Sequence, residues 1–209
     1  MPPSDARFFS DDWMITLPSF SDVKFVRLTP PRSDEYIKVL SDPLNRPFAN
    51  PSELADVWDE EMIKGVKGRF LARYNLSKTK YQALEFLVQI DGKTVGHGSV
   101  YEIPKVFVGL ANIGLGLVES ARGKGIGKAG WQVLLRLSNE LDITLAGAGT
   151  MSTNKPMRAL AKSLGFTEKE EVLTVPGRGV VADIMFENID FKRYKDLDMK
   201  VEFLGPAPE

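Results

Sequence analysis

The chain has 209 residues, 43% hydrophobic and 26% charged, with 27 basic and 28 acidic side chains and a net charge of -1. That composition suits a globular domain with its own core. The near-neutral balance argues against a nucleic-acid partner held by phosphate neutralisation. Cysteine is absent, which removes disulfides, thiolate metal sites and a cysteine nucleophile.

No apolar run approaches the roughly 20 residues of a membrane span. The N-terminal "MPPSDARFFSDDWM" carries acids and prolines where a secretory leader has a basic start and an apolar stretch. A cytoplasmic protein without a membrane partner or a metal is the expectation.

Residues 1–22 read as an irregular N-terminal arm anchored by Phe8, Phe9, Trp13 and Phe20. "VKFVRLTP" (23–30) reads as a strand stopped by Pro30-Pro31. "SDEYIKVLSD" follows as a helix. A second helix is expected over 51–65, with Leu54, Val57, Trp58 and Met62 at helical spacing and Gly65 ending it. "ALEFLVQI" and "TVGHGSVYEI" flank Asp91-Gly92, a hairpin signal. "VFVGLANIGLGLVE" is a further strand.

The helix over about 127–141 has an apolar stripe of Trp131, Leu134, Leu135 and Leu137. "ITLAGAGTM" (143–151) reads as a strand. "KPMRALAKSLG" (155–165) is a helix with Pro156 early and Gly165 just past the end. "EVLTV" and "VVADIMFEN" flank "PGRG" as a second hairpin, and 190–209 is a charged, loosely held tail. The fold class is therefore mixed α/β, a mostly antiparallel central sheet with flanking helices. The organisation is an arm (1–22), one domain (23–189) and a tail (190–209).

The stretch "ARGKGIGKAG" places Gly123, Gly125 and Gly127 between a strand and a helix, with Arg122, Lys124 and Lys128 interleaved. Exposed amides and the helix dipole make such a turn an anion site, and glycines let the backbone approach the ligand. A tight turn with solvated basic residues is the alternative. A Walker loop needs G-x-x-x-x-G-K-[ST], and the hydroxyl and spacing are missing. A Rossmann fingerprint needs other glycine spacing near the first strand.

Arg122, Gly125 and Gly127 in order, Asn154 after the next strand, and "ALAKSLGF" (159–166) together resemble the GNAT acetyltransferase superfamily. Within it, "VRLTPPRSDEYIKVLSDPLNRPF" is similar to the branch that acetylates ribosomal-protein N-termini and similar amines. The resemblance implies an acyl-CoA N-acyltransferase fold using acetyl-CoA or another acyl-CoA. It implies pyrophosphate on the amides of Gly123, Lys124, Gly125, Ile126, Gly127 and Lys128, beside Arg122. It further implies main-chain pairing of the pantetheine near Leu117 and Val118, an Asn154 contact, and Met157 near the cofactor. The acceptor is a small-molecule amine or a peptide.

The chain departs from the family at its customary acid and base positions. Asn112 stands where the branch has a glutamate, Gly116 where it has an aromatic, and Ala161 near the usual tyrosine. Gly149 lies where some relatives carry an acid. Asparagine cannot take a proton but orients water or substrate, so Asn112 is a catalytic candidate. Ser152, with Thr150, lies near the strand end where the thioester belongs, and is the second candidate. His97, the only histidine, lies between two glycines; it reads as structural, with a pocket-facing base as the alternative.

An N-acetyltransferase working by direct attack is the leading reading. A CoA-binding protein without transferase activity, or a fold repurposed for other natural-product chemistry, are the alternatives. The aromatic arm is an edge cover, a groove cover or a homodimer contact.

Overall fold

Asp91 and Gly92 take positive φ angles of 50° and 73°, the backbone that a two-residue hairpin turn requires. They join β3 (Ala83–Ile90) to β4 (Lys93–Glu102). The computed structural model describes residues 5–42, 44, 58–102, 109–141, 143–175 and 179–208. Within these, the other strands are β1 (Asp11–Leu17), β2 (Phe20–Arg27), β5 (Leu110–Leu117), β6 (Leu145–Met151), β7 (Thr167–Val175), β8 (Gly179–Glu187) and β9 (Lys200–Pro206). The helices are α1 (Arg7–Ser10), α2 (Ser33–Ser41), α3 (Glu60–Lys80), α4 (Ile126–Leu137) and α5 (Lys155–Ser163).

The nine strands form one sheet in the order β7-β8-β6-β5-β4-β3-β2-β1-β9. Neighbours are antiparallel except β5 and β6, which are parallel and joined through α4. One face of the sheet packs α4, with Phe25, Phe86, Val100 and Ile113 meeting Trp131, Leu134 and Leu135. The other face packs α2 and α3, with Leu28 and Leu87 meeting Tyr36, Ile37, Val66, Phe70 and Tyr74. Both faces are covered, so β3 is buried without alternation from Ala83 to Val88, Glu85 included. No helix among the described residues is long and apolar enough to cross a membrane.

Three sequence expectations are corrected. The arm is not irregular: alternate residues Trp13, Ile15 and Leu17 of β1 are buried, and β1 pairs with β2. The tail is not loosely held: β9 pairs with β1, setting Trp13 opposite Phe203. Polar staples that no local pattern announces hold this edge. Buried Arg27 donates to the Phe9 carbonyl at 2.7 Å and to that of Asp11. Arg32 bridges to Asp12 at 2.8 Å, and Tyr74 donates to the Pro208 carbonyl at 2.7 Å.

The third correction is α3, which does not stop at Gly65 but runs on to Lys80. Val66, Phe70, Tyr74 and Ser77 are buried at helical spacing along it. That packing overrides the poor helix propensity of Gly65 and Gly68. Residues 51–57 of the expected helix, and most of the "PGRG" turn, lie outside the described residues.

A polar group is buried between β3, β4 and α3. Arg73 donates to Glu85 at 2.8 Å and 3.1 Å. Burial pushes the Glu85 carboxyl up against the opposing pull of Arg73. The Tyr36 ring lies 4.9 Å from that of His97. Burial first, and the Arg73 charge second, depress the His97 imidazole to about 4.

Two outcomes follow from this packing. Trp13 is fully buried and its indole donates to the Phe8 carbonyl at 2.9 Å. Trp13→Ala is expected to lower unfolding free energy by about 3–5 kcal/mol in urea denaturation; a loss below about 1 kcal/mol would mean that β1 is not part of the core. For His97, the unfolded chain binds a proton below about pH 6.5 that the native chain refuses until about pH 4. Its contribution is therefore lost as pH falls through that window, by about 3 kcal/mol. His97→Gln should flatten this part of the stability–pH curve; an unchanged slope would contradict the depressed imidazole.

Candidate active site

β5 and β6 stay together for only three residue pairs, Leu110 with Leu145, Ala111 with Ala146 and Asn112 with Gly147. Beyond them β6 turns to β8, from Ala148 opposite Phe186 to Met151 opposite Asp183. β5 stays on β4 as far as Leu117 opposite Gly96. The parallel pair thus forks after Asn112.

The phase of the ladder decides what the fork exposes. The Val118 N–H donates to the Val95 carbonyl at 2.8 Å. In an antiparallel ladder every second residue turns both backbone groups to the same neighbour. Asn112, Gly114 and Gly116 therefore bond to β4, as does the Val118 N–H, while the N–H and C=O of Leu115 and the N–H of Leu117 aim into the fork.

The fork opens into a cleft of about 500 Å³. At its other end lies the glycine loop. Gly123 and Gly125 have φ of 73° and 80°, a left-handed backbone that favours glycine. Gly125 is the N-cap of α4; no side chain caps this helix, and its first turn holds no acid. Its first N–H groups and the positive end of its dipole therefore meet the cleft with no anionic side chain of their own.

Of the residues expected to hold a cofactor, Leu117, Arg122, Gly123, Gly125, Gly127, Lys128, Asn154 and Met157 all line the cleft. Arg122 also folds back, with Nε at 3.1 Å and Nη2 at 2.9 Å from the Leu117 carbonyl. It locks the end of β5 to the loop. Asn154 caps α5, its Oδ1 accepting from the Met157 N–H at 3.2 Å and its Nδ2 donating to Thr150 Oγ1 at 2.8 Å.

Val118, Lys124 and Ile126 do not line the cleft. The Val118 N–H serves Val95 and its C=O accepts from the Ala121 N–H at 3.0 Å. The exposed Lys124 side chain and the buried Ile126 side chain leave only their backbone amides at the loop.

Of the catalytic candidates, Asn112 stands at the fork but does not line the cleft, and its Nδ2 donates to the Tyr101 hydroxyl at 3.0 Å. Ser152 stands apart from the cleft. It lies in the turn beyond β6, where its carbonyl accepts from Arg158 at 3.1 Å, and it does not line the cleft. Thr150, two residues earlier, does. In a continuing strand Ser152 would share the face of Thr150, but β6 ends at Met151 and the turn carries it away.

Sequence reasoning missed Leu115, whose backbone polarity depends on the ladder phase. It also missed Trp131 as a cleft residue, having assigned it to the core stripe. Trp131 is 2% exposed and lines the cleft, and its Nε1 has no hydrogen-bond partner among the described residues. The same residues include no cluster of three or more potential metal ligands.

Comparison with known proteins agrees with this geometry. No curated protein matches the chain by sequence. Among solved structures, RimL, a ribosomal-protein alpha-N-acetyltransferase in complex with coenzyme A, superposes with a TM-score of 0.60 at 20% identity, covering 81% of this chain and 95% of that one. The yncA protein of Salmonella typhimurium, solved with its cofactor acetyl-CoA, gives 0.60 at 16% identity over 81% and 95%. RimJ of Mycobacterium smegmatis, in complex with a CoA disulfide, gives 0.60 at 16% identity over 98% and 90%. At such identities the likeness establishes a shared fold. A family model for the Acetyltransferase (GNAT) family matches residues 52–166. That is more than half of the chain, and it spans the loop, the fork and α5: the protein belongs to the GNAT acetyltransferase family.

Proposed function

We propose that the protein transfers an acetyl group from acetyl-CoA directly to an amine of a small molecule or peptide. The single observation that carries this reading is the fork ending in an uncapped helix. It joins a lane of free backbone donors and acceptors to an anion site, the complement of an amide-bearing arm with a pyrophosphate at its end. The residues fit such a group. The amides of Gly123 to Lys128 would hold the diphosphate, with Lys128 adding charge. The backbone of Leu115, and the N–H of Leu117, would pair with the arm. The buried Trp131 N–H supplies a donor in the wall.

The acetyl thioester supplies the electrophilic carbonyl, and everything else falls to the chain. The chain has no thiol to carry the acetyl group, which supports direct transfer. Asn112 spends an amide N–H on Tyr101, leaving its Oδ1 to accept from the amine or from a water beside it. The Tyr101 hydroxyl, accepting from Asn112, keeps its own proton to donate. Thr150 Oγ1 accepts from Asn154, so its hydroxyl hydrogen is free to support the leaving sulfur. The ribosomal-protein acetyltransferases among the structural relatives favour a peptide acceptor, and acetyl-CoA in the yncA structure favours that donor.

Acetyl-CoA at a hundredfold excess over its Kd should stabilise the protein by about 2.7 kcal/mol. For a chain of this size that raises Tm by about 5–10 °C. Gly127→Asp should abolish the shift by setting a like charge against the diphosphate. The variant itself should stay folded, because a Cβ at 127 meets only Leu160 Cδ2 at 3.4 Å and Leu117 Cδ1 at 3.7 Å, and an acid suits a first helical turn. A retained shift in Gly127→Asp would show the loop to be only a turn. Transfer itself is tested by thiol release from acetyl-CoA across a panel of amines and peptides. A thermal shift without thiol release from any of them favours the second reading, a CoA-binding protein without transferase activity, which Asn112 in place of a glutamate motivates.

A further inference from the structure

The reading above gives no task to His97, the only histidine of the chain. It sits on β4 opposite Gly116 of β5, and Gly116 lines the cleft. A Cβ at Gly116 would meet His97 Nδ1 at 3.8 Å, and one at Gly114 would meet Ser99 Oγ at 3.9 Å, each with no other neighbour within 4 Å. Neither glycine has a positive φ. Gly96, Gly98 and Gly130 differ, since a Cβ there would come within 3.0 Å of neighbouring atoms. A strand glycine that neither backbone nor packing requires marks the close approach of something else.

The His97 Nδ1 is sealed from solvent and has no hydrogen-bond partner among the described residues. Such atoms are rare in native structures because they forfeit a hydrogen bond to water. The ring is held by Tyr36 of α2 at 4.9 Å. The titratable groups around it are Tyr36, Arg73 of α3 and Glu85 of β3, with Glu35 of α2 farther along β4 on Thr94. Burial and the Arg73 charge keep the imidazole neutral at ordinary pH.

A neutral imidazole offers one lone pair and one N–H. An amine acceptor brings N–H donors and needs its own lone pair for attack, so a lone pair is what complements it. Gly116 lies four residues from the fork at Asn112, about 13 Å along the strand. The group above it is therefore not the reacting amine but a second N–H of the same acceptor. The burial and positive charge that keep His97 from protonating also disfavour an ammonium beside it. That leaves an uncharged amide N–H, about four extended residues from the amine.

We propose that His97 is an acceptor-binding residue whose Nδ1 accepts an amide N–H of a peptide acceptor lying over Gly114 and Gly116, with the peptide's terminal amine at the fork. This rests on the acetyl-transfer reading and narrows its acceptor to a peptide.

The test compares penta-alanine amide, alanine amide and spermidine as acceptors for acetyl-CoA. The expected result is a kcat/KM for the pentapeptide at least about tenfold above that for alanine amide, the worth of one buried hydrogen bond. His97→Leu should erase that advantage through the peptide KM, with kcat and the acetyl-CoA KM within about twofold. His97→Asn, whose Oδ1 falls near the Nδ1 position, should restore it. A preference for spermidine, or an advantage that survives His97→Leu, overturns the proposal. The lone imidazole gives a second readout in the full chain. Its ¹⁵N signals should report a neutral ring from pH 5 to 9, and the Nδ1 signal should move when millimolar pentapeptide is added with CoA. An unmoved signal overturns the proposal. The acetyl-CoA thermal shift separates the two failures: without it the cofactor reading falls, and with it an unmoved imidazole removes only the role of His97.

Discussion

The three-pair contact between β5 and β6 is the constraint on which the rest of the site depends. A parallel pair that continued would have satisfied the backbone of Leu115 and Leu117 within the sheet. Because β6 leaves for β8 after Gly147, the backbone groups of Leu115 and the N–H of Leu117 face a gap, the Leu117 carbonyl being taken by Arg122. Backbone polar groups at an unpaired edge demand partners. The fork thus sets the character of its ligand, an extended group rich in amides, before any side chain is considered.

The packing beneath the fork keeps it open. Trp131 of α4 meets Phe166 edge-on at 5.6 Å, and Phe166 meets Phe186 of β8 at 6.3 Å. This aromatic row joins the two halves of the sheet from below while their edges diverge above. Gly130 lets Leu115 sit against α4, since a Cβ there would come within 2.9 Å of it. The helix start is thereby pressed toward β5, and the anion site and the polar lane become one cleft. Arg122, bonded to the Leu117 carbonyl, fastens the same junction.

The two sides of the sheet divide the work. On the α4 side lie the loop, the cleft wall and Trp131. On the α2–α3 side lie His97, Ser99 and Tyr101 of β4, facing Gly116, Gly114 and Asn112 of β5 in register. The family's customary glutamate is absent, and what stands in its place is a hydrogen-bonded Asn112–Tyr101 pair. Such a pair orients groups rather than accepting a proton.

Local patterns in the sequence determined much of this. The Asp91-Gly92 hairpin, the apolar stripe of α4, Asn154 ahead of α5 and the glycines of the loop are each specified within a few residues by turn chemistry, periodicity or capping. They were enough to name many of the residues that line the cleft. The rest depends on partners distant along the chain. β1 and β9 pair across some 190 residues, and Arg27 and Arg32 tie the first segment to the sheet; neither leaves a periodic trace. Val118 and Leu115 exchange roles because one hydrogen bond to Val95 sets the phase of a whole ladder. Ser152 and Thr150 differ only in whether the strand has already turned. Tertiary structure decided these points because a side chain's identity is local, whereas the direction of a backbone amide and the burial of an imidazole are set by whatever packs beside them.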